Sequence, residues 1–199
     1  MTPLSKTALL LIGYQNDYFA KDGILASVIE ESSRVSGVLK NTLALLENFG
    51  SEFGLVVTTP IIFTRDYSEL DNPVGILKTI KEVGAFKSGE TGSETIEELN
   101  RFEDLIHEIP GKRGLNAFSN TDLEKLLMSH DVEQLVLAGT VTSICIDSTG
   151  RHAAESGYEV TVLSDCTSGR TVFEQDFYCE SIFPLYGNVL TSSELVRAK

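Results

Sequence analysis

Short apolar runs alternate with amphipathic stretches along the whole chain. Residues 7–12, Thr-Ala-Leu-Leu-Leu-Ile, are continuously apolar, as a strand covered on both faces should be. Val35, Val38, Leu39, Thr42, Leu46 and Phe49 follow at the spacing of one helical stripe. Residues 60–64 (Pro-Ile-Ile-Phe-Thr) read as the next strand. Proline can open a strand but not sit inside a central one, so residues 55–59 become its approach. Residues 72–83 and 93–99 read as short helices, the second with acid in its first turn, which the helix dipole favours. Residues 105–109 form an edge strand. Thr121-Asp-Leu-Glu124 has the form of a capping box, with Leu123, Leu126 and Leu127 as the buried stripe. Residues 134–138 make a buried strand, followed at once by a helix to about residue 156. A strand at 158–163, a helix at 172–185 and a short strand at 188–190 complete the pattern.

Strand and helix in alternation predict an α/β fold with a parallel sheet and helices on both faces. The 199 residues contain no repeat, low-complexity segment or linker, which points to a single domain over residues 1–199. Hydrophobic residues at 42% and charged residues at 23% exclude a disordered or fibrous chain. The net charge of −13 repels phosphate backbones, so no nucleic acid and no membrane is expected as a main partner. No stretch approaches the ~20 apolar residues of a membrane span. The run at 8–12 is too short for the core of a signal peptide. Three cysteines without a Cys-x-x-Cys pair read as reduced, and the expected location is cytoplasmic.

In such sheets ligands sit beyond the carboxyl ends of the strands. Cys145 lies there, a few residues into a helix that follows a buried strand, with Thr142 as its expected cap. Free backbone N–H groups and the helix dipole favour an anion at that place, a thiolate included. The same N–H groups can hold a developing oxyanion. The bland alternative is a buried cysteine packed against the sheet. Lys112, after Pro110 and Gly111, is either a solvated lysine or a cation aimed at the thiol. Asp17 and Asp66 each follow a strand and read as carboxylates that hold loop N–H groups. His107, His130 and His152 share no spacing; His130 reads as a helix C-terminal residue and the others as surface or structural. Cys166 could approach from the neighbouring strand end, although burial is the stronger reading of it. Cys179 reads as core or interface. No Gly-x-Gly-x-x-Gly follows the first strand, which argues against dinucleotide binding.

Gly13-Tyr-Gln-Asn-Asp-Tyr18, Lys112-Arg-Gly-Leu-Asn-Ala-Phe118, Gly139-Thr-Val-Thr-Ser-Ile-Cys-Ile146 and Ser148 to Val160 occur in that order. Together they resemble the isochorismatase-like cysteine hydrolases, the family of nicotinamidases and N-carbamoylsarcosine amidase. The resemblance covers nearly the whole chain. It implies a three-layer, Rossmann-like α/β/α sandwich around a six-stranded, mostly parallel sheet. By position, Cys145 would be the nucleophile and Lys112 would stabilise its thiolate. The backbone N–H groups of Val141 and Cys145 would form the oxyanion hole, beside a cis Thr140–Val141 peptide. Members are often dimers or larger, so the resemblance implies a homo-oligomer.

Two departures stand out. The family's catalytic aspartate falls on Gly13, which removes the usual acid/base; Asp17 is a conceivable substitute from the same loop. A nicotinamidase would carry Asp-x-His after the second strand, whereas this chain has Asp66-Tyr67-Ser68. A lone carboxylate is a poor transition-metal site, so no metal and no cofactor are expected. Tyr14, Tyr18, Phe19 and Tyr67 could line a small aromatic pocket, or simply pack. The first reading is therefore hydrolysis of a C–N bond in a small amide or carbamoyl-type substrate through a Cys145 thioester. A family member that only binds or regulates is the alternative. A thiol-redox protein pairing Cys145 with Cys166 comes third.

Overall fold

The computed structural model describes residues 2–198; Met1 and Lys199, the two ends of the expected domain, lie outside the described residues. Six strands form one sheet: β1 (Thr7–Ile12), β2 (Leu55–Thr58), β3 (Ile106–Glu108), β4 (Gln134–Thr140), β5 (Glu159–Ser168) and β6 (Asn188–Leu190). Their order is β3-β2-β1-β4-β5-β6, and every neighbouring pair is parallel.

The central strands β1, β2 and β4 are buried at every position and mostly apolar because both faces are covered. Ala8, Leu10, Ile12, Leu55, Val57, Leu135, Leu137, Val160 and Val162 share one core cluster. Their neighbours Leu9, Leu11, Val56, Val136, Ala138 and Leu163 share the cluster on the other face. That alternation follows from the two-residue period of a strand. Helices α5 (Leu123–Ser129) and α6 (Asp147–Glu155) cover the first face through Leu123, Leu127 and Ala153. Helices α3 (Val38–Phe49) and α8 (Ser192–Arg197) cover the second through Val38, Leu45, Leu46 and Leu195. The result is the three-layer sandwich. Helices α1 (Asn16–Phe19), α2 (Ala26–Ser36), α4 (Gly75–Val83) and α7 (Val172–Phe177) lie around the loops.

Several boundaries differ from those expected. The second strand is Leu55–Thr58, and Pro60 lies after it. Proline has no N–H to give to the ladder, so the sheet stops short of it. Val35 belongs to α2, not to the stripe of α3, and is 65% exposed; a left-handed Gly37 separates the two helices. Residues 93–99 form 3-10 turns, Thr91–Ser93 and Glu97–Phe102, rather than a helix. The capping box at Thr121 does not form. Asp122 is the cap, and the Thr121 hydroxyl donates to the Ala117 carbonyl at 2.7 Å. The helix after β4 opens with a π turn, Thr142–Ile146, before α6. The helical path at 172–185 is α7 followed by a π turn, Tyr178–Ile182, and a 3-10 turn, Phe183–Leu185. The edge strand β3 and the last strand β6 fall where the pattern put them.

Candidate active site

The strand order reverses between β1 and β4, so a crevice opens where these two strands end. Two glycines let their backbones meet there. A Cβ on Gly139 (φ 120°) would collide with the Ile12 carbonyl. A Cβ on Gly13 (φ 76°) would lie 2.7 Å from the Thr140 carbonyl oxygen. Position 13 therefore has neither a carboxylate nor room for a side chain.

The chain leaves β4 through a cis Thr140–Val141 peptide, as the resemblance implied, and enters the turn that carries Cys145. Val141 caps this turn; its carbonyl accepts from Ile144 N at 3.0 Å and from Ile146 N at 3.2 Å. Thr142 is not a side-chain cap. Its hydroxyl donates to Gln175 Oε1, while the Ser143 hydroxyl donates to Glu174 Oε1 at 2.6 Å. Gln175 in turn donates to Thr167 Oγ1 at 2.9 Å, and Glu174 accepts from Arg170 Nε at 2.6 Å. Helix α7 thus clamps the turn from its far side. Sequence reasoning missed Glu174 and Gln175; both are buried, which is rare for such residues without a structural task.

Lys112 enters from the opposite direction. It is 1% exposed, and its ammonium donates to Cys145 Sγ at 3.7 Å. That sulfur is the only side-chain partner of Lys112 Nζ among the described residues. The loop is tied to the helix behind the thiol, since Ala117 N donates to Thr149 Oγ1 at 3.0 Å and Phe118 stacks on His152 at 4.5 Å. Arg113 pairs with Glu69 at 3.1 Å, which joins this loop to the one after β2. Cys145 itself is 9% exposed. An open cleft of about 1000 Å³ runs beside its turn, walled by Ser143, Ile144, Asp147 and Ser148, by Leu115, and by Phe173, Glu174 and Phe177 of α7. Cys145 is not among the residues that wall this cleft.

Residues 7–194, from the first residue of β1 into α8, match the Isochorismatase domain. The chain belongs to the isochorismatase family. Among the relatives of this isochorismatase-family chain, the family protein YddQ of Bacillus subtilis (strain 168) is 27% identical over 170 residues, covering 85% of this chain and 82% of its own length. Nicotinamidase 3 of Arabidopsis thaliana is 25% identical over 166 residues, covering 83% of this chain and 75% of its own. A crystal structure of a cysteine hydrolase from Pseudomonas syringae pv. phaseolicola 1448A superimposes with a TM-score of 0.81, at 21% identity over 97% of this chain and 92% of that one.

The remaining candidates in this isochorismatase-family chain separate by face. Tyr14 lies in the core cluster on the far face, with its hydroxyl 2.6 Å from Thr42 Oγ1. Phe19 stacks on it at 5.2 Å and walls a groove with Arg34, Leu39 and Lys40. Tyr14 does not join Cys145, which sits in the cluster on the other face of the sheet, whereas Phe19 also packs against the cluster that holds Val141. Tyr18 and Tyr67 do share one cluster with Val141, and Ile144 packs against it. The Tyr67 hydroxyl is committed to the Ala85 carbonyl at 2.7 Å. Burial, and then the negative charge that Cys145 and Asp17 can carry, hold the Tyr18 phenol well above its usual range. Tyr18 is therefore a hydrogen-bond donor and not a base.

Asp17 accepts from Phe86 N at 2.6 Å, a structural role across the 84–92 loop. Asp66 accepts from Thr64 Oγ1 at 2.8 Å and from Ser68 N at 3.2 Å. These local oxygen donors, with no histidine beside them, do not fit a transition-metal site. No group of three or more metal-binding side chains is assembled among the described residues. Cys166 sits in the core cluster opposite that of Cys145, and burial, with Asp165 beside it, pushes its thiol up to about 12. The sheet between them does not bring the two sulfurs together for a disulfide. Cys179 is half-buried, and burial pushes it up to about 12 as well. His130 caps α5 as expected. No helix among the described residues is long and apolar enough to cross a membrane.

Proposed function

We propose that this protein is a cysteine hydrolase that cleaves the C–N bond of a small amide or carbamoyl-type substrate through a thioester on Cys145. One observation carries the reading: Lys112 is 1% exposed and its ammonium has the Cys145 sulfur as its side-chain partner, at 3.7 Å. A buried ammonium is costly unless an opposite charge answers it, and the thiolate is the charge within reach. The thiolate is also the nucleophilic form of cysteine. In this reading it attacks the carbonyl carbon, and the backbone N–H groups of Val141 and Cys145 receive the oxyanion. The likeness to Nicotinamidase 3 supports an amide as the substrate class. The exposed, stacked Phe173 and Phe177 support a homo-oligomer, and the sparse, unpaired cysteines support a cytoplasmic location.

The test is ammonia release from a panel of primary amides, ureido acids and N-carbamoyl amino acids. Release by the wild type that disappears in Cys145→Ala is the expected result. Equal release from the variant contradicts the proposal. A second reading, a binding protein that keeps the pocket, rests on Gly13. It is favoured if panel members raise the melting temperature and none is hydrolysed.

A further inference from the structure

We propose that Lys112 is the proton carrier of the reaction, acting as general acid and then general base as well as holding the thiolate. The inference rests on the hydrolase reading above. The reaction needs two proton transfers: one to the leaving nitrogen, one from the attacking water. Carboxylates are the ordinary carriers, and those on the elements packed around the turn are occupied. Asp17 holds Phe86 N at 2.6 Å. Asp147 is held by Arg151 Nε at 3.0 Å and by the Tyr186 hydroxyl at 3.1 Å. Glu174 is held by Ser143 and Arg170, and Glu69 by Arg113 and Thr64. None of these carboxylates is hydrogen-bonded to Lys112 or Cys145. Gly13 supplies no carboxylate and leaves no room for one. Tyr18, held protonated by burial, does not take the proton of the attacking water and so does not serve both transfers. The titratable group in contact with the sulfur is Lys112.

The absence of a carboxylate partner matters for the lysine itself. An ammonium fixed in a carboxylate pair keeps its proton, whereas one held only by a thiolate is released as soon as that thiolate is consumed. The Cys145 sulfur bonds to the amide carbon, and the carbonyl electron pair moves to oxygen. As the C–N bond breaks, the leaving nitrogen takes a proton from the Lys112 ammonium. An amine leaves, with a thioester and a neutral lysine behind. Water then adds to the thioester carbon while the Lys112 amine takes its proton. The C–S bond breaks, the carboxylic acid departs, and thiolate and ammonium stand restored. One amide and one water yield one acid and one amine, with no other reactant.

The test is Lys112→Arg, since a guanidinium keeps the positive charge but does not surrender its proton. With p-nitrophenyl acetate, whose phenolate leaves without a proton, the wild type should turn over continuously. The variant should release one equivalent of nitrophenolate and stall as an acyl-enzyme, visible as an added acetyl mass on the Cys145 peptide. Amide turnover should fall by at least about 10²-fold. Lys112→Ala guards against misfit of the larger side chain. Ethylamine should restore its turnover and tetramethylammonium, a charge without a proton, should not. Continuous ester turnover by Lys112→Arg, or equal rescue by both cations, overturns the inference. Because the ester reports deacylation directly, this outcome is distinct from a failure to find any amide substrate. A wild type that releases no nitrophenolate overturns both.

Discussion

Replacing Lys112 by methionine removes the charge and keeps most of the side-chain volume. At 3.7 Å and an effective dielectric of about 20, the ammonium–thiolate attraction is about 4.5 kcal/mol. Desolvation of the two charges cancels part of it. If about half survives, the loss is about 2 kcal/mol, or about 30-fold in the reactivity of the sulfur. The iodoacetamide rate at Cys145 at pH 7, followed by peptide mass analysis, should therefore fall about 30-fold in Lys112→Met. Folding stability should move the other way from an ordinary core lesion. Once the lysine is gone, no buried ammonium is left to be answered. Urea unfolding should then show a loss below about 1 kcal/mol, or a gain. An unchanged alkylation rate would refute the reasoning, since it would mean that the buried ammonium does nothing for the sulfur. A stability loss of several kcal/mol with unchanged reactivity would make Lys112 a structural residue instead.

Other outcomes follow from the same geometry. Cys166 and Cys179, both pushed up to about 12, stay protonated at pH 8, with about one in 10⁴ ionised. A raised acid constant favours the neutral thiol, so limited iodoacetamide at pH 8 should label Cys145 alone; labelling of Cys166 at a similar rate contradicts this. Gly13→Ala puts a Cβ 2.7 Å from the Thr140 carbonyl on a left-handed backbone, and should cost about 2 kcal/mol in urea unfolding; a loss below about 0.5 kcal/mol contradicts the close approach. Tyr14→Phe removes the partner of the buried Thr42 hydroxyl and should cost about 1–2 kcal/mol. Because Tyr14 lies on the far face, that variant should leave Cys145 alkylation unchanged; a slowed reaction would place the tyrosine in the site after all.

The layered fold was legible because β1 from Ala8 to Ile12 and β4 from Leu135 to Ala138 are unbroken apolar runs, which only a strand covered on both faces tolerates. The second strand slipped because Ile61, Ile62 and Phe63 are as strand-like as Leu55 to Val57, and only the missing proline N–H separates the two runs. Helix α2 was hidden for a different reason: of its eleven residues only Ile29 and Ser32 are buried, too few to write a stripe. Helix α8 did carry a readable sign. Thr191 and Glu194 form a capping box ahead of the buried Leu195. Thr121 and Glu124 have the same spacing and form none, so the motif alone does not decide.

Cys145 and Lys112 could be paired from their motifs, and the structure brings them within 3.7 Å. The clamp from Glu174 and Gln175 could not be foreseen. On a helix their side chains read as solvent-facing, and only the π turn of Thr142 and Ser143 gives them buried partners. The aromatic residues after β1 show the same limit. Only three residues separate Tyr14 from Tyr18, and the chain bends into α1 between them. One ring lands beneath the sheet and the other beside the nucleophile turn, a divergence that spacing does not encode.

The most direct measurement is the intact mass of the protein quenched in acid during turnover of an amide from the panel. The account predicts an added mass equal to the acyl group, located on the peptide that contains Cys145 and absent from Cys145→Ala, which no longer releases ammonia. Steady turnover by the alanine variant, or an acyl group carried on any other residue, would contradict it.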